Sequence, residues 1–260
     1  MTEEQRIIKL FVHGETVMYN GVIHTIDFAI KPTYSKGEGK TDIYIAFTDG
    51  EVLKISTKAS TADFLENKCS KERALQIFNN DLSPLINAID YLKDSFLTHQ
   101  IYYPSQLGRV EANSYTMGWR MDIINRNTGT LTAPLKLSKT QRHEVLCGDS
   151  LTGSKCNPMI NGVIVNNAGI ANALLLHSEN YNTAQEVIDA LCDPDDYTDD
   201  FYVSFRAVNY RKNSDKIDGN RNLAVAIKWH SIDNPEIIFN EPLVYGAKND
   251  MLRYFKENVK

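Results

Sequence analysis

Apolar positions recur along the chain with two periods, and the points where one gives way to the other mark its elements. Leu82, Leu85, Ile86, Ile89, Leu92 and Phe96 fall at helical spacing, which predicts a helix with Ser83 as its N-cap and Pro84 at its first position. Thr2 with Gln5, Ser138 with Gln141 and Thr183 with Glu186 have capping-box spacing. Helices are therefore expected over about residues 3 to 10, up to Leu146 before Gly148, and up to Leu191 before Pro194. Asn249 is placed to cap a last helix carrying Met251, Leu252 and Phe255.

Strict alternation marks the strands. Trp119, Met121 and Ile123 alternate with Arg120 and Asp122, the pattern of a strand with one buried face. Phe201, Val203, Phe205 and Ala207 repeat it, as do Val225, Ile227 and Trp229. Val22-Ile23 and Phe28-Ala29-Ile30 are shorter β-rich runs, and the stretch around Asn161-Gly162 reads as strand and turn.

Residues 42 to 58 read as a hairpin around Asp49-Gly50. A two-residue loop would pair Ile45 with Lys54, mixing apolar and polar partners. A three-residue loop of Thr48, Asp49 and Gly50 instead pairs Phe47 with Glu51, Ile45 with Leu53 and Ile43 with Ile55, and asks for a left-handed Gly50. In that register Asp42 falls across from Ser56, with Lys58 on the diagonal. No repeat or low-complexity linker interrupts the chain. A single α+β domain over residues 1–260 is expected, with a core in 1–100 and further strands and helices in 101–260.

Composition narrows the function classes. The 260 residues carry 28 Lys plus Arg against 33 Asp plus Glu, a formal charge of −5, which excludes a generally basic nucleic-acid coat. At 42% hydrophobic and 23% charged the chain can bury a core and is not disordered. No apolar run reaches the roughly 18 to 20 residues of a membrane-spanning helix, so no membrane partner is expected. Acids precede the first short apolar stretch, the wrong order for a signal peptide. Cys69, Cys147, Cys156 and Cys192 form no Cys-x-x-Cys pair and read as reduced thiols. A cytoplasmic location follows from these features as an expectation. The six histidines make no zinc spacing, and no phosphate-loop motif occurs.

The charge is unevenly spread. Seven acids and no base lie between Glu186 and Asp200, whereas Arg206 to Lys228 holds six bases against two acids. A net-acidic protein can still present a local basic face.

The open end of the 42–58 hairpin carries the chemistry. An acid, a hydroxyl and an amine converge at Asp42, Ser56 and Lys58. A hard cation such as Mg²⁺ takes one or two carboxylates and fills its shell with water and substrate phosphate oxygens. Asp42 is the expected metal ligand and a carbonyl near Thr57 a second, while a protonated Lys58 offsets phosphate charge.

Asp42, thirteen intervening residues and the triplet Ser56-Thr57-Lys58 resemble the signature of the PD-(D/E)xK nuclease superfamily. There an Asp at the start of one strand is followed by a (D/E)xK triplet on the next. Ser56 departs from it where an acid is usual, as in a subset of restriction endonucleases. The resemblance covers residues 40 to 60 and implies a restriction-endonuclease-like mixed sheet core flanked by helices. It further implies Mg²⁺ or Mn²⁺ as cofactor, DNA as partner, and phosphodiester hydrolysis by an endonuclease of restriction or phage type. The alternative is a catalytically inactive relative that binds nucleic acid or protein; a homodimer stays open. The family also draws an acid from a helix preceding the Asp. Glu3, Glu4 and Glu15 are available, with Glu15 nearest in sequence, and Gln76 is a further candidate. Lys136, Lys139, Arg142, Arg206, Arg211, Lys212 and Arg221 are then the phosphate-binding candidates.

Overall fold

A computed structural model describes residues 1–59, 64–177, 180–219, 221–246 and 248–259. The fold is mixed α+β, and the chain divides into two compact units rather than a core ending near residue 100. Each unit is assembled from two segments: Met1–Ala62 with Ser138–Thr198, and Asp63–Leu137 with Asp199–Lys260.

The first unit opens with α1 (Glu3–Ile8), where both capping-box bonds of Thr2 and Gln5 form. Strands β1 (Thr16–Tyr19), β2 (Val22–Ile30), β3 (Ile43–Phe47) and β4 (Val52–Ala59) follow as an antiparallel meander. The β3–β4 register pairs Ile43 with Ile55 and Ile45 with Leu53, and the Phe47 amide bonds to the Glu51 carbonyl. Gly50 sits at φ +89°, as the three-residue loop requires. Alternation alone therefore located the turn to the residue.

The chain then enters the second unit through β5 (Phe64–Glu66), α2 (Lys71–Phe78), α3 (Ser83–Tyr91) and α4 (Lys93–Leu97). Leu82, not Ser83, holds the N-cap position of α3, because the Asp81 carboxylate already binds the Ser83 amide and hydroxyl. After β6 (Tyr102–Tyr103) comes β7 (Ser114–Ile124), then β8 (Thr132–Pro134). β7 is buried on both faces, not one: Asp122, on the face opposite Trp119 and Met121, is fully buried too and pairs there with Arg120 and Arg206.

Returning to the first unit, α5 (Lys139–Cys147) has both capping-box bonds and ends on a left-handed Gly148. A hairpin of β9 (Met159–Ile160) and β10 (Val163–Ile164) precedes β11 (Ala173–His177), which pairs parallel to β4. α6 (Ala184–Asp189) stops two residues earlier than its pattern suggested, because Leu191 and Cys192 leave the helix as β12 (Leu191–Cys192) to pair with β11. The sheet order is β1-β2-β3-β4-β11-β12. Ile7 of α1 and Val187 and Ile188 of α6 cover one face, on Ile26, Ile43, Ile45, Ile55 and Leu175. Tyr44, Ile160 and Ala168 pack on the other.

The chain ends in the second unit with β13 (Tyr202–Arg211), β14 (Lys216–Ile217), β15 (Val225–Ser231), β16 (Asn234–Ile238) and α7 (Lys248–Asn258). A bulge where β7 meets β13 interrupts their register. Gly118 sits in it at φ +145°, and a Cβ there would lie 2.3 Å from the Val225 carbonyl oxygen. Phe96 packs on Trp119 and Phe205, and Phe255 on Tyr115 and Tyr210. None of the four cysteines is in a disulfide, and among the described residues no helix is long and apolar enough to cross a membrane.

Candidate active site

The candidate site lies in the first unit, where the chain bends into β3. The Asp42 amide donates to the Ile55 carbonyl at 2.8 Å, but the ladder proper begins at Ile43. Freed from strict pairing with Ser56, the Asp42 carboxylate turns to Thr57. Its Oδ2 accepts from the Thr57 amide at 2.8 Å and the Thr57 hydroxyl at 3.2 Å. Among the described residues it has no ion-pair partner within 4.0 Å. Burial pushes the Asp42 carboxyl above the usual carboxylate range; the Lys58 ammonium and the Thr57 amide pull it back in part, while Glu4 pushes it further.

Lys58 stands on β4 one residue past Thr57 and makes no hydrogen bond or ion pair among the described residues. Its charge is felt both at Asp42 and at the Cys147 thiol. Burial nevertheless pushes that thiol up to about 12, so it stays protonated near neutral pH. Ser56 is fully buried and its Oγ has no partner; Thr41 Oγ1, next to Asp42, is in the same condition. Unpartnered buried hydroxyls are uncommon, and two of them flank the Asp42 position.

Glu4, not Glu15, is the helix-borne acid in reach. Its Oε2 lies 2.6 Å from Lys31 Nζ, and both Glu4 and Asp42 hold the Lys31 ammonium above its ordinary value. Glu15 belongs to the far end of the sheet: its carbonyl accepts from Ile26, which pairs with Phe47 beside the hairpin turn. Proximity in sequence favoured Glu15, but α1 runs back past the open end of the hairpin. A cleft of about 550 Å³ adjoins this end, lined by Gln5, Ile8, Lys9 and Lys31 among others. Gln76 lies on α2 of the second unit, where its Oε1 accepts from Arg73.

The donors here are oxygens, which suits a hard cation. Among the described residues no group of three His, Cys, Asp or Glu side chains forms a ready metal cage. Asp42 with Glu4 near it fits a Mg²⁺ ion that keeps most of its shell for water and phosphate.

The basic candidates are divided between the two units. Lys139 is 3.0 Å from Asp195, and Arg142 donates to the Tyr197 carbonyl, both within the first unit. In the second unit Arg206 pairs with Asp122 and lies over the Phe64 ring, while Arg211 pairs with Glu111 and Asp218. These four are tied to acids or carbonyls of the chain itself. Lys136, Lys212 and Arg221 are exposed and carry no ion pair among the described residues. Comparison with protein-family models, curated proteins and solved structures finds no match.

Proposed function

We propose that the protein is a metal-dependent DNA endonuclease of the restriction-endonuclease-like kind. The observation that carries this reading is Asp42: a largely buried carboxylate fixed by the Thr57 amide and hydroxyl, without an ion-pair partner, beside Lys58 on the next strand. The mixed sheet supports it, with an antiparallel meander joined by a parallel β4–β11 pairing and helices on its face.

Bound Mg²⁺ or Mn²⁺ would polarise the scissile phosphate and acidify a water. Asp42 Oδ1, which takes no hydrogen bond among the described residues, is the oxygen available to hold the ion, and Thr57 keeps the carboxylate aimed. Lys58 Nζ offsets charge on the phosphate as the attacking oxygen bonds to phosphorus and the P–O bond to the leaving group breaks. Glu4 adds a second carboxylate to the field. Supercoiled plasmid incubated with Mg²⁺ or Mn²⁺ should be nicked, and a chelator should stop it. Asp42→Asn and Lys58→Ala should each lose cleavage at least 100-fold while remaining folded. Undiminished cleavage by either variant refutes the assignment.

One observation favours a second reading, a nuclease-like protein that binds without cutting: the triplet acid is replaced by Ser56, whose hydroxyl is buried and unpartnered. It predicts DNA retention with no nicking at any metal concentration.

A further inference from the structure

A second cavity, of about 440 Å³, lies wholly in the second unit between α3 and β8. Pro84, Asn87, Ala88 and Tyr91 line it from one face of α3, following the helical spacing of three and four residues, and Pro134 and Lys136 close the other side. The floor is apolar: Ala88 is buried. The rim is polar and uncommitted. The Asn87 amide, the Tyr91 hydroxyl and the Lys136 ammonium make no hydrogen bond or ion pair among the described residues. Tyr91 is 73% exposed, a large ring left in water over a cavity of ligand size. The Asp81 carboxylate stands at one end, held below the usual carboxylate range by the Ser83 hydroxyl and amide, and so accepts hydrogen bonds as an anion.

A ligand that satisfies this set needs a flat face for Tyr91, an edge with both donors and acceptors for Asn87, a donor for Asp81, and an anionic group for Lys136. We propose that the cavity binds a single unstacked nucleotide: the base stacks on Tyr91 and bonds to the Asn87 amide, its amino group or a sugar hydroxyl donates to Asp81, and the phosphate meets Lys136. An apolar peptide would leave Asn87, Asp81 and Lys136 without partners, and a bare anion would face Asp81 with no use for the ring. The inference stands on second-unit residues alone and does not depend on cleavage at Asp42.

The nucleotide could be free or part of a single strand, and one titration separates the two. Fluorescein-labelled dA12 is followed by anisotropy in chelator, where cleavage cannot occur, and dAMP is followed by calorimetry. Binding of dA12 but not millimolar dAMP assigns the site to a strand; comparable occupation by dAMP assigns it to free nucleotide. In either case Tyr91→Ala weakens binding about tenfold or more. Lys136→Ala lowers the slope of log affinity against log salt for dA12 by about 0.7. Tyr91 and Lys136 are exposed, so these variants keep the fold, and circular dichroism verifies it. If neither probe binds, or binding is unchanged in both Tyr91→Ala and Asn87→Ala, the inference is overturned, whatever the plasmid assay returns.

Discussion

Asp42 and Asp122 are both carboxylates withdrawn from water on or beside a β-strand, and they are compensated in opposite ways. Asp122, fully buried on β7, accepts from the Lys68 amide at 2.5 Å and from Arg120 Nη1 at 3.2 Å. Arg206 Nε lies 3.1 Å from its other oxygen, a charge contact without hydrogen-bond alignment. Two guanidiniums thus answer one carboxylate. Asp42 has the two donors of Thr57 and the fields of Lys58 and Lys31 but no direct ion pair, and burial leaves its ionised form disfavoured. A buried carboxylate paired with two guanidiniums is part of the scaffold; one without an ion pair has room for an external cation.

Removing the ion-paired acid should have the largest effect on stability. Asp122→Ala strands the partly buried Arg120 guanidinium and unpairs the exposed Arg206, and should cost about 3 kcal/mol, read from urea unfolding. A loss near zero would show that the Asp122 cluster is not an ionic scaffold. Arg206→Ala removes one of the two cations and its contact with Phe64, for about 1 to 2 kcal/mol. The exposed Lys212→Ala should stay within about 0.5 kcal/mol of wild type by the same assay. Equal effects at the two basic positions would erase the distinction between them.

At Asp42 the sign reverses. A folded-state pKa raised above the unfolded one means that the native state holds the proton more tightly, so stability from this group is fully present at low pH and is lost as pH rises through the folded pKa. In chelator near pH 7, Asp42→Asn should therefore be as stable as wild type or more so. The wild type should gain on the variant as pH falls towards the ordinary carboxylate value. A variant that is less stable than wild type at pH 7 would contradict this sign. Thr57→Val removes one hydroxyl donor and keeps the amide, and should cost about 0.5 to 1.5 kcal/mol, with the Asp42 carboxyl raised further in an NMR titration.

The comparison also marks what local pattern can and cannot carry. The 42–58 hairpin was legible to its register, because a slip of one residue would pair Lys54 with Ile45 and Ser56 with Ile43. The caps of α1 and α5 were legible because their partners lie three residues apart. Asp42 and Lys58 were picked out as candidates through the same hairpin, but the turn of the carboxylate to Thr57 was not legible, since it follows from the chain leaving the ladder at Asp42. Glu4 was passed over for Glu15 because distance along the chain is a poor guide once α1 folds back over the sheet. Arg206 was read as a DNA contact because its partner Asp122 lies 84 positions away, beyond any local charge count. The division into two units was hidden for a similar reason: each is closed by a segment that returns after the other has been built.

The central claim is that Asp42 is short of positive charge where Asp122 is not, and titration with Mn²⁺ followed by electron paramagnetic resonance tests it most directly. Wild-type protein should bind one Mn²⁺ ion, and Asp42→Asn should bind it at least tenfold more weakly, with the fold intact. Equal Mn²⁺ binding by wild type and Asp42→Asn, or no binding by either in the presence of DNA, would contradict the account.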